Sequence, residues 1–176
     1  MNQDIVSSME QAVSEFSLPR YEEIPNVGLY LEQVSKFISE YFESVGNITL
    51  TTSMISNYVK KGLISNPIKK QYDREQIASL FFVTVAKTVL SIEDIRLLMR
   101  IQEETYPKKV AYEYFCAELE NVLHYVFGLK DDIDIIGSDE SEGKTLLRNT
   151  IIAVAHKAYL DNYCAALSAK EDLKQK

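Results

Sequence analysis

The sequence predicts an all-α protein in which strand is confined to one short wing. Apolar residues recur at three- and four-residue spacing through most of the chain, which is the pattern of amphipathic helices. Capping signals precede several of these stretches, for example Asp73 followed three residues later by Gln76. Only 6 glycines and 4 prolines occur in 176 residues, which argues against long flexible linkers. A chain of this length can bury one substantial core or two small ones.

Targeting and redox features point to a protein of the cytoplasm. The N-terminus lacks a basic region followed by an apolar run, so we expect no signal peptide. The longest uncharged apolar stretch, residues 77–86, is far too short to span a bilayer, and we expect no membrane contact. Cys116 and Cys164 have no histidine at metal-ligand spacing. We expect both to be small buried side chains rather than parts of a disulfide or a zinc site.

The first elements are two predicted helices joined by an irregular segment. Residues 4–16 place their apolar side chains on one helical face. Residues 17–28 contain two prolines and predict an irregular connection. A second helix is predicted from Leu29 onward, with Gly46 and Asn47 as its stop residues.

The middle of the chain has the element order of a winged helix-turn-helix. A short helix capped by Thr51 or Thr52 is predicted to run to about Lys61, where Gly62 suits a left-handed end. The segment SNPIKKQY follows, and Pro67 within it forbids helix and predicts a basic wing. The next two predicted helices, each with a capping signal at its start, cover residues 74–88 and 92–103.

Two long helices are predicted in the C-terminal third. The first starts at Pro107 and ends at Gly128, and after an acidic loop the second covers residues 144–169, beyond which KEDLKQK is expected to fray. Two amphipathic helices cannot bury both faces alone, so packing on the preceding domain or a homodimer interface is favoured. Enclosure of a small-molecule effector is the third use open to them. The predicted organisation is an N-terminal helix and connector (1–28), a winged helix-turn-helix (29–103) and a helical dimerisation or effector region (104–176).

Charge is distributed unevenly along the chain. The formal net charge is −7, yet residues 46–100 hold 8 basic and 4 acidic side chains. The phosphate field of DNA acts mainly within a Debye length, about 8 Å at physiological salt, so a locally basic module on an acidic body is compatible with a DNA contact. The competing explanations are that one basic segment arises by chance or that it neutralises its acidic neighbours.

The predicted contact residues follow from the winged helix-turn-helix order. In that arrangement the second helix enters the major groove and the wing reaches flanking phosphates. Short polar side chains on the outward face of this helix suit base edges, and an asparagine can bond adenine through two contacts. The lysines supply affinity and salt dependence. The candidate base contacts are Ser53, Ser56 and Asn57, and the candidate phosphate contacts are Lys60, Lys61, Lys69 and Lys70.

The stretches NYVKKGLISNP, KKQYDREQIASL and TVLSIEDIRLL together resemble the DNA-binding domain of MerR-type regulators. That domain has a tyrosine-containing recognition helix ending in Gly-Leu-Leu and a wing ending in Arg-x-Tyr. The matching places here include Gly62, Leu63 and Tyr72, while Lys70 stands at the place of the wing arginine. The longer pattern, LPRYEEIPNVGLYLEQV with LTTSMISNYVKKGLI, resembles a bacterial family of unknown function with such a head. The resemblance implies a DNA-binding transcription regulator, and a homodimer is expected because one small head has a limited contact area.

Enzyme chemistry has no support in the sequence. His124 and His156 are isolated, and the chain has no glycine-rich phosphate loop, Gly-x-Ser-x-Gly elbow or His-Glu-x-x-His motif. The carboxylates near residues 113–134 are expected to form a solvated helix face and an acidic loop. We therefore expect no catalytic residue, metal or cofactor. The competing function is a protein-interaction adaptor that keeps the winged fold without binding DNA, which the net acidity and the scarcity of arginine favour.

Overall fold

The computed structural model of the protein describes residues 2–46, 48–138 and 140–174. The described chain is mostly helical, as the sequence predicts, with one two-stranded sheet. In chain order, its elements are α1 (Gln3–Val13), β1 (Leu29–Tyr30), α2 (Leu31–Phe42), α3 (Thr52–Lys60), β2 (Gln71–Tyr72), α4 (Arg74–Ala86), α5 (Ile92–Thr105), α6 (Lys108–Val126) and α7 (Glu142–Lys174). Short 3-10 turns cover Tyr21–Glu23 and Glu43–Val45.

The start of the second helix differs from the prediction. Leu29 and Tyr30 form strand β1, which pairs antiparallel with β2 so that Leu29 faces Tyr72 and Tyr30 faces Gln71. Helix begins only at Leu31. The pairing partner lies some forty positions away in the chain, so periodicity within the local window cannot reveal it.

Local end signals predict most of the other boundaries correctly. The Thr51 side chain caps α3 by accepting a hydrogen bond from the Met54 N–H, and Gly62 has a left-handed φ of 67°. Asp73 and Gln76 form the expected reciprocal capping box at the start of α4, with hydrogen bonds of 2.8 and 2.9 Å. These signals work because both partners lie within one helical turn.

Helix ends without such signals are less well predicted. Helix α4 ends at Ala86 rather than at residue 88, and α5 continues to Thr105. Helix α7 starts at Glu142 and continues through Lys174, so the described part of KEDLKQK is helical rather than frayed. Gly46 has a φ of 91° and suits the predicted stop, whereas Asn47 lies outside the described residues.

The C-terminal helices pack on the preceding elements through one continuous core. Helix α4 contacts both α6 and α7, and it is buried on nearly all sides, which explains its lack of a polar face. Phe81 at its centre lies 6.0 Å from the ring centroid of Tyr112 on α6 and 6.0 Å from that of Phe42 on α2. Helix α1 packs on α7 of the same chain. Packing on the head is therefore the arrangement that α6 and α7 adopt within the chain.

Three side chains depart from their predicted environment. Cys116 is buried as expected, but Cys164 is exposed because it lies on the outer side of the long α7 helix. Val110 and Leu167 lie at apolar positions of the two long predicted helices, where periodicity predicts inward-facing side chains, yet they are 51% and 37% exposed. No helix among the described residues is both long and apolar enough to cross a membrane.

Candidate nucleic-acid interface

Helix α3 has one buried side and one polar side. Ile55 and Tyr58 are buried, and they hold the helix against the core. Four predicted contact residues recur at spacings of three and four and are all exposed, which aligns them along the opposite side. They are Ser53, Ser56, Asn57 and Lys60.

The polar side chains of α3 are not equally available to a partner. The Ser56 hydroxyl donates to the Thr52 carbonyl at 2.9 Å, and the Ser53 hydroxyl lies 3.0 Å from the capping hydroxyl of Thr51. Within the described part of the chain, the Asn57 amide makes no side-chain hydrogen bond. Asn57 therefore has both its donor and its acceptor groups available for an external partner.

The C-terminal end of α3 is closed by one local and one long-range feature. The N–H groups of Leu63 and Ile64 both donate to the Tyr58 carbonyl, at 2.9 and 3.3 Å. The Lys61 carbonyl accepts a hydrogen bond of 2.5 Å from the Arg96 guanidinium of α5. The last carbonyls of a helix lack intrahelical partners, so Arg96 satisfies one of them. Sequence reasoning does not identify Arg96, because its partner is 35 positions away.

The predicted wing is a two-residue hairpin turn with an unusual backbone. Ile68 and Gln71 exchange both backbone hydrogen bonds, at 3.1 and 2.9 Å. Between them, Lys69 and Lys70 have φ values of 50° and 65°. Two positive φ values are typical of a type I′ turn, which favours Asn-Gly. Each lysine is therefore held in a left-handed conformation that costs about 1–2 kcal/mol relative to ordinary backbone.

Buried and hydrogen-bonded residues fix the base of the wing. Tyr72 is buried, and the side-chain amide of Gln76 donates to the carbonyl and the hydroxyl of Ser65 at 2.9 and 3.0 Å. A Cβ atom at Gly28 would lie 2.7 Å from the Cβ of Gln71, so the close approach of β1 to β2 needs glycine there. The turn itself is exposed, and Ile68 at its start is 75% exposed.

The lysines of this surface differ from lysines elsewhere in the described chain in their ion pairing. Lys60, Lys61, Lys69 and Lys70 are exposed, and none makes an ion pair with any residue in the described ranges. Lysines elsewhere do pair with carboxylates, as Lys109 does with Glu22 at 2.6 Å and Lys157 with Asp161 at 2.5 Å. Neutralisation of acidic neighbours therefore does not account for these four charges.

The carboxylates of α6 differ from their predicted solvated face. Glu118 is fully buried against Arg148 of α7, with 3.2 Å between its Oε1 and the Arg148 Nε. Burial raises the pKa of the Glu118 carboxyl, and the charge of Arg148 opposes that rise. Glu120 and Glu113 instead bind the 17–28 connection, accepting from Leu18 N–H at 2.9 Å and Tyr21 N–H at 2.8 Å. These groups are structural, and they lie on α6 rather than on α3 or the wing.

Comparison with protein families gives a match over residues 19–115 to a family described as Domain of unknown function (DUF1836). The chain belongs to this family. The DUF1836 match contains every predicted contact residue, together with α2 to α5 and both strands. No curated protein and no solved structure matches the chain. The resemblance to a family of unknown function is thereby confirmed.

Proposed function

We propose that this DUF1836 protein is a cytoplasmic DNA-binding transcription regulator whose residues 29–103 act as a MerR-like winged helix-turn-helix. The observation that carries the proposal is a set of four exposed lysines on and beside the polar side of α3, none of which forms an ion pair with a described residue. Unneutralised lysines bind phosphates by releasing counterions, which is the main source of affinity for DNA. The acidic remainder of the chain does not prevent this, because screening limits its reach to about 8 Å.

Different side chains are assigned to base contacts and to phosphate contacts according to their chemistry. Helix α3 enters the major groove, and Asn57, whose amide makes no side-chain hydrogen bond among the described residues, bonds a base edge such as that of adenine. Ser53 and Ser56 flank it and contact bases or nearby phosphates through their hydroxyl oxygens. Lys60 and Lys61 at the end of α3, with Lys69 and Lys70 in the turn, contact the phosphate backbone.

The element order supports the winged form of the motif. A strand, two helices, a hairpin turn and a capped helix follow one another, and β1 pairs with the strand that leaves the turn. The wing lysines occupy strained backbone where asparagine and glycine would be more stable. A residue kept in a strained conformation at an exposed tip is more readily explained by binding than by folding.

A homodimer fits the proposed function. One small head has a limited contact area, and two-fold symmetry doubles it on a palindromic site. The long helix by which MerR proteins dimerise is interrupted here at Pro107, so half-site spacing is expected to differ from theirs.

The second candidate is a protein-interaction adaptor. The net charge of −7 and the absence of arginine from the exposed polar side of α3 (Ser53, Ser56, Asn57 and Lys60) favour it. In that case the polar side of α3 contacts an acidic protein surface, and affinity for DNA stays weak even at low salt.

The deciding experiment is sequencing of host genomic fragments retained by the purified protein over a range of salt. A Lys69→Glu/Lys70→Glu variant is compared with a Lys157→Glu/Lys170→Glu variant, which makes the same charge change on α7. We expect wild type and the α7 variant to retain DNA fragments that have a sequence motif in common. The wing variant is expected to lose this enrichment. Equal binding by the wing variant contradicts the proposed contact surface, and no enrichment with any protein favours the adaptor.

A further inference from the structure

A small apolar cavity lies where α4, α5, α6 and α7 meet. Its volume is about 60 Å³, and its wall is mainly aliphatic and aromatic. An engineered apolar cavity of about 150 Å³ accommodates benzene, so this one suits a short aliphatic group rather than a ring. The apolar wall includes Ala78, Phe82, Leu98, Met99, Phe115 and Leu147.

One positive and one negative side chain stand at the mouth of this cavity. The Lys108 ammonium donates to Glu103 Oε1 at 2.8 Å and to the Ser79 hydroxyl at 3.2 Å. Lys108 and Ser79 line the cavity as well as an adjoining polar cleft of about 160 Å³, and the carboxylates of Glu103, Glu75 and Asp73 line that cleft. An ammonium has three N–H donors, so Lys108 keeps one for a further acceptor. The Glu103 side chain is 52% exposed and can turn without unpacking the core.

We propose that the cavity binds a free α-amino acid with a short aliphatic side chain. The side chain fills the apolar cavity, the carboxylate bonds Lys108, and the ammonium bonds Glu103. A simple carboxylate would leave Glu103 and Glu75 facing its negative charge, and a simple amine would face Lys108. A zwitterion satisfies both charges at once, since it replaces one ion pair by two charge-assisted hydrogen bonds.

The position of the cavity links it to α3. On helix α5, Met99 lines the cavity and Glu103 lines the polar cleft. One turn before Met99, Arg96 of the same helix donates a hydrogen bond to the Lys61 carbonyl at the end of α3. A ligand that shifts α5 therefore changes the support of α3. This regulatory consequence rests on the proposed DNA binding, whereas the binding of the amino acid does not.

The test measures binding of three matched probes to the full chain in the absence of DNA. Titration calorimetry and thermal unfolding are the two readouts. The probes are L-valine, 3-methylbutanoate, which lacks the amino group, and isobutylamine, which lacks the carboxylate. We expect L-valine to bind at least about tenfold more tightly than either analogue, since each analogue loses one charge-assisted contact. No binding of L-valine, or equal binding of the three probes, overturns the proposal.

Variants locate the site. Lys108→Met and Glu103→Gln are each expected to weaken L-valine binding about tenfold or more, while Lys109→Met, at the next position on α6, leaves it unchanged. Ala111→Leu keeps both charges, fills the cavity from α6 and is expected to abolish binding. Undiminished binding by Lys108→Met or by Ala111→Leu overturns the assignment. Because DNA is absent throughout, the outcome is independent of the genomic-fragment experiment.

Discussion

The Arg96 guanidinium donates a hydrogen bond to the backbone carbonyl of Lys61, joining α5 to the end of α3. This contact connects the helix that faces the cavity with the helix that carries the exposed polar side. A cation near a helix C-terminus also interacts favourably with the helix dipole.

Replacing Arg96 by methionine is expected to lower the free energy of unfolding by about 1 kcal/mol, because one exposed hydrogen bond and its dipole interaction are lost. In a protein of this size that corresponds to a fall in Tm of about 2–4 °C. Urea unfolding and amide hydrogen exchange at residues 61–64 measure the effect. Arg100→Met, an exposed arginine on the same helix, is the control, and equal effects of the two variants would contradict a specific role for Arg96.

Relief of backbone strain in the Lys69–Lys70 turn is expected to raise stability while it weakens the proposed DNA binding. Lys69→Asn/Lys70→Gly is expected to raise the free energy of unfolding by about 1–2 kcal/mol, because Asn-Gly adopts the two positive φ values at little cost. The same change removes two charges and is expected to weaken the proposed DNA binding. Denaturant titration and binding assays are compared with those of Lys70→Ala, which removes a charge but leaves the strain. A double variant that is less stable than wild type refutes the strain argument.

Asn57 and Lys60 are expected to affect DNA binding in different ways. Asn57→Ala loses a base-edge contact and relaxes sequence preference at one position, at a cost of about 1–3 kcal/mol. Lys60→Ala weakens binding to all sequences alike and reduces the salt slope by about one. Competition binding on a library of site variants, repeated at several salt concentrations, distinguishes the two effects. A sequence-specific loss in Lys60→Ala would reverse the assigned roles.

Tyr58 carries a buried hydroxyl that has no hydrogen-bond partner in the described ranges. Burial without a partner costs about 1–3 kcal/mol, so Tyr58→Phe is expected to leave stability unchanged or to raise it by about 1 kcal/mol. Urea unfolding measures the difference, with Tyr72→Phe as a second buried tyrosine for comparison. A loss of more than about 1 kcal/mol in Tyr58→Phe would show that the hydroxyl makes a stabilising contact.

Stability is expected to depend on pH through Glu118. Burial raises the pKa of this carboxyl in the folded protein above that in the unfolded chain, which is about 4.3. Its contribution to stability is therefore fully present below pH 4.3 and is lost as the pH rises through the higher folded pKa. Glu118→Gln stays neutral, so its stability relative to wild type should increase from pH 4 to pH 7.

Unfolding curves of both proteins at matched pH values measure that increase. Glu142→Gln, an exposed carboxylate at the start of α7, is the control and should show no such trend. A wild-type advantage that grows toward neutral pH means that the pairing of Glu118 with Arg148 outweighs burial.

The amino-acid sequence by itself determined the helical class, most helix starts and the basic turn. The Thr51 cap, the Asp73–Gln76 capping box and the left-handed Gly62 each depend on residues within about one turn. Apolar periodicity likewise depends only on the 3.6-residue repeat. These rules act over short stretches of chain, so a single sequence is enough to apply them.

Tertiary structure alone decided the contacts between distant segments. The pairing of Leu29 with Tyr72, the bond from Arg96 to Lys61 and the burial of Glu118 against Arg148 join residues that no local pattern connects. The cavity beside Lys108 exists because four helices meet there, and the strain at Lys69 and Lys70 exists because their neighbours close a two-residue turn. Packing brings these groups together, and packing is a property of the whole chain.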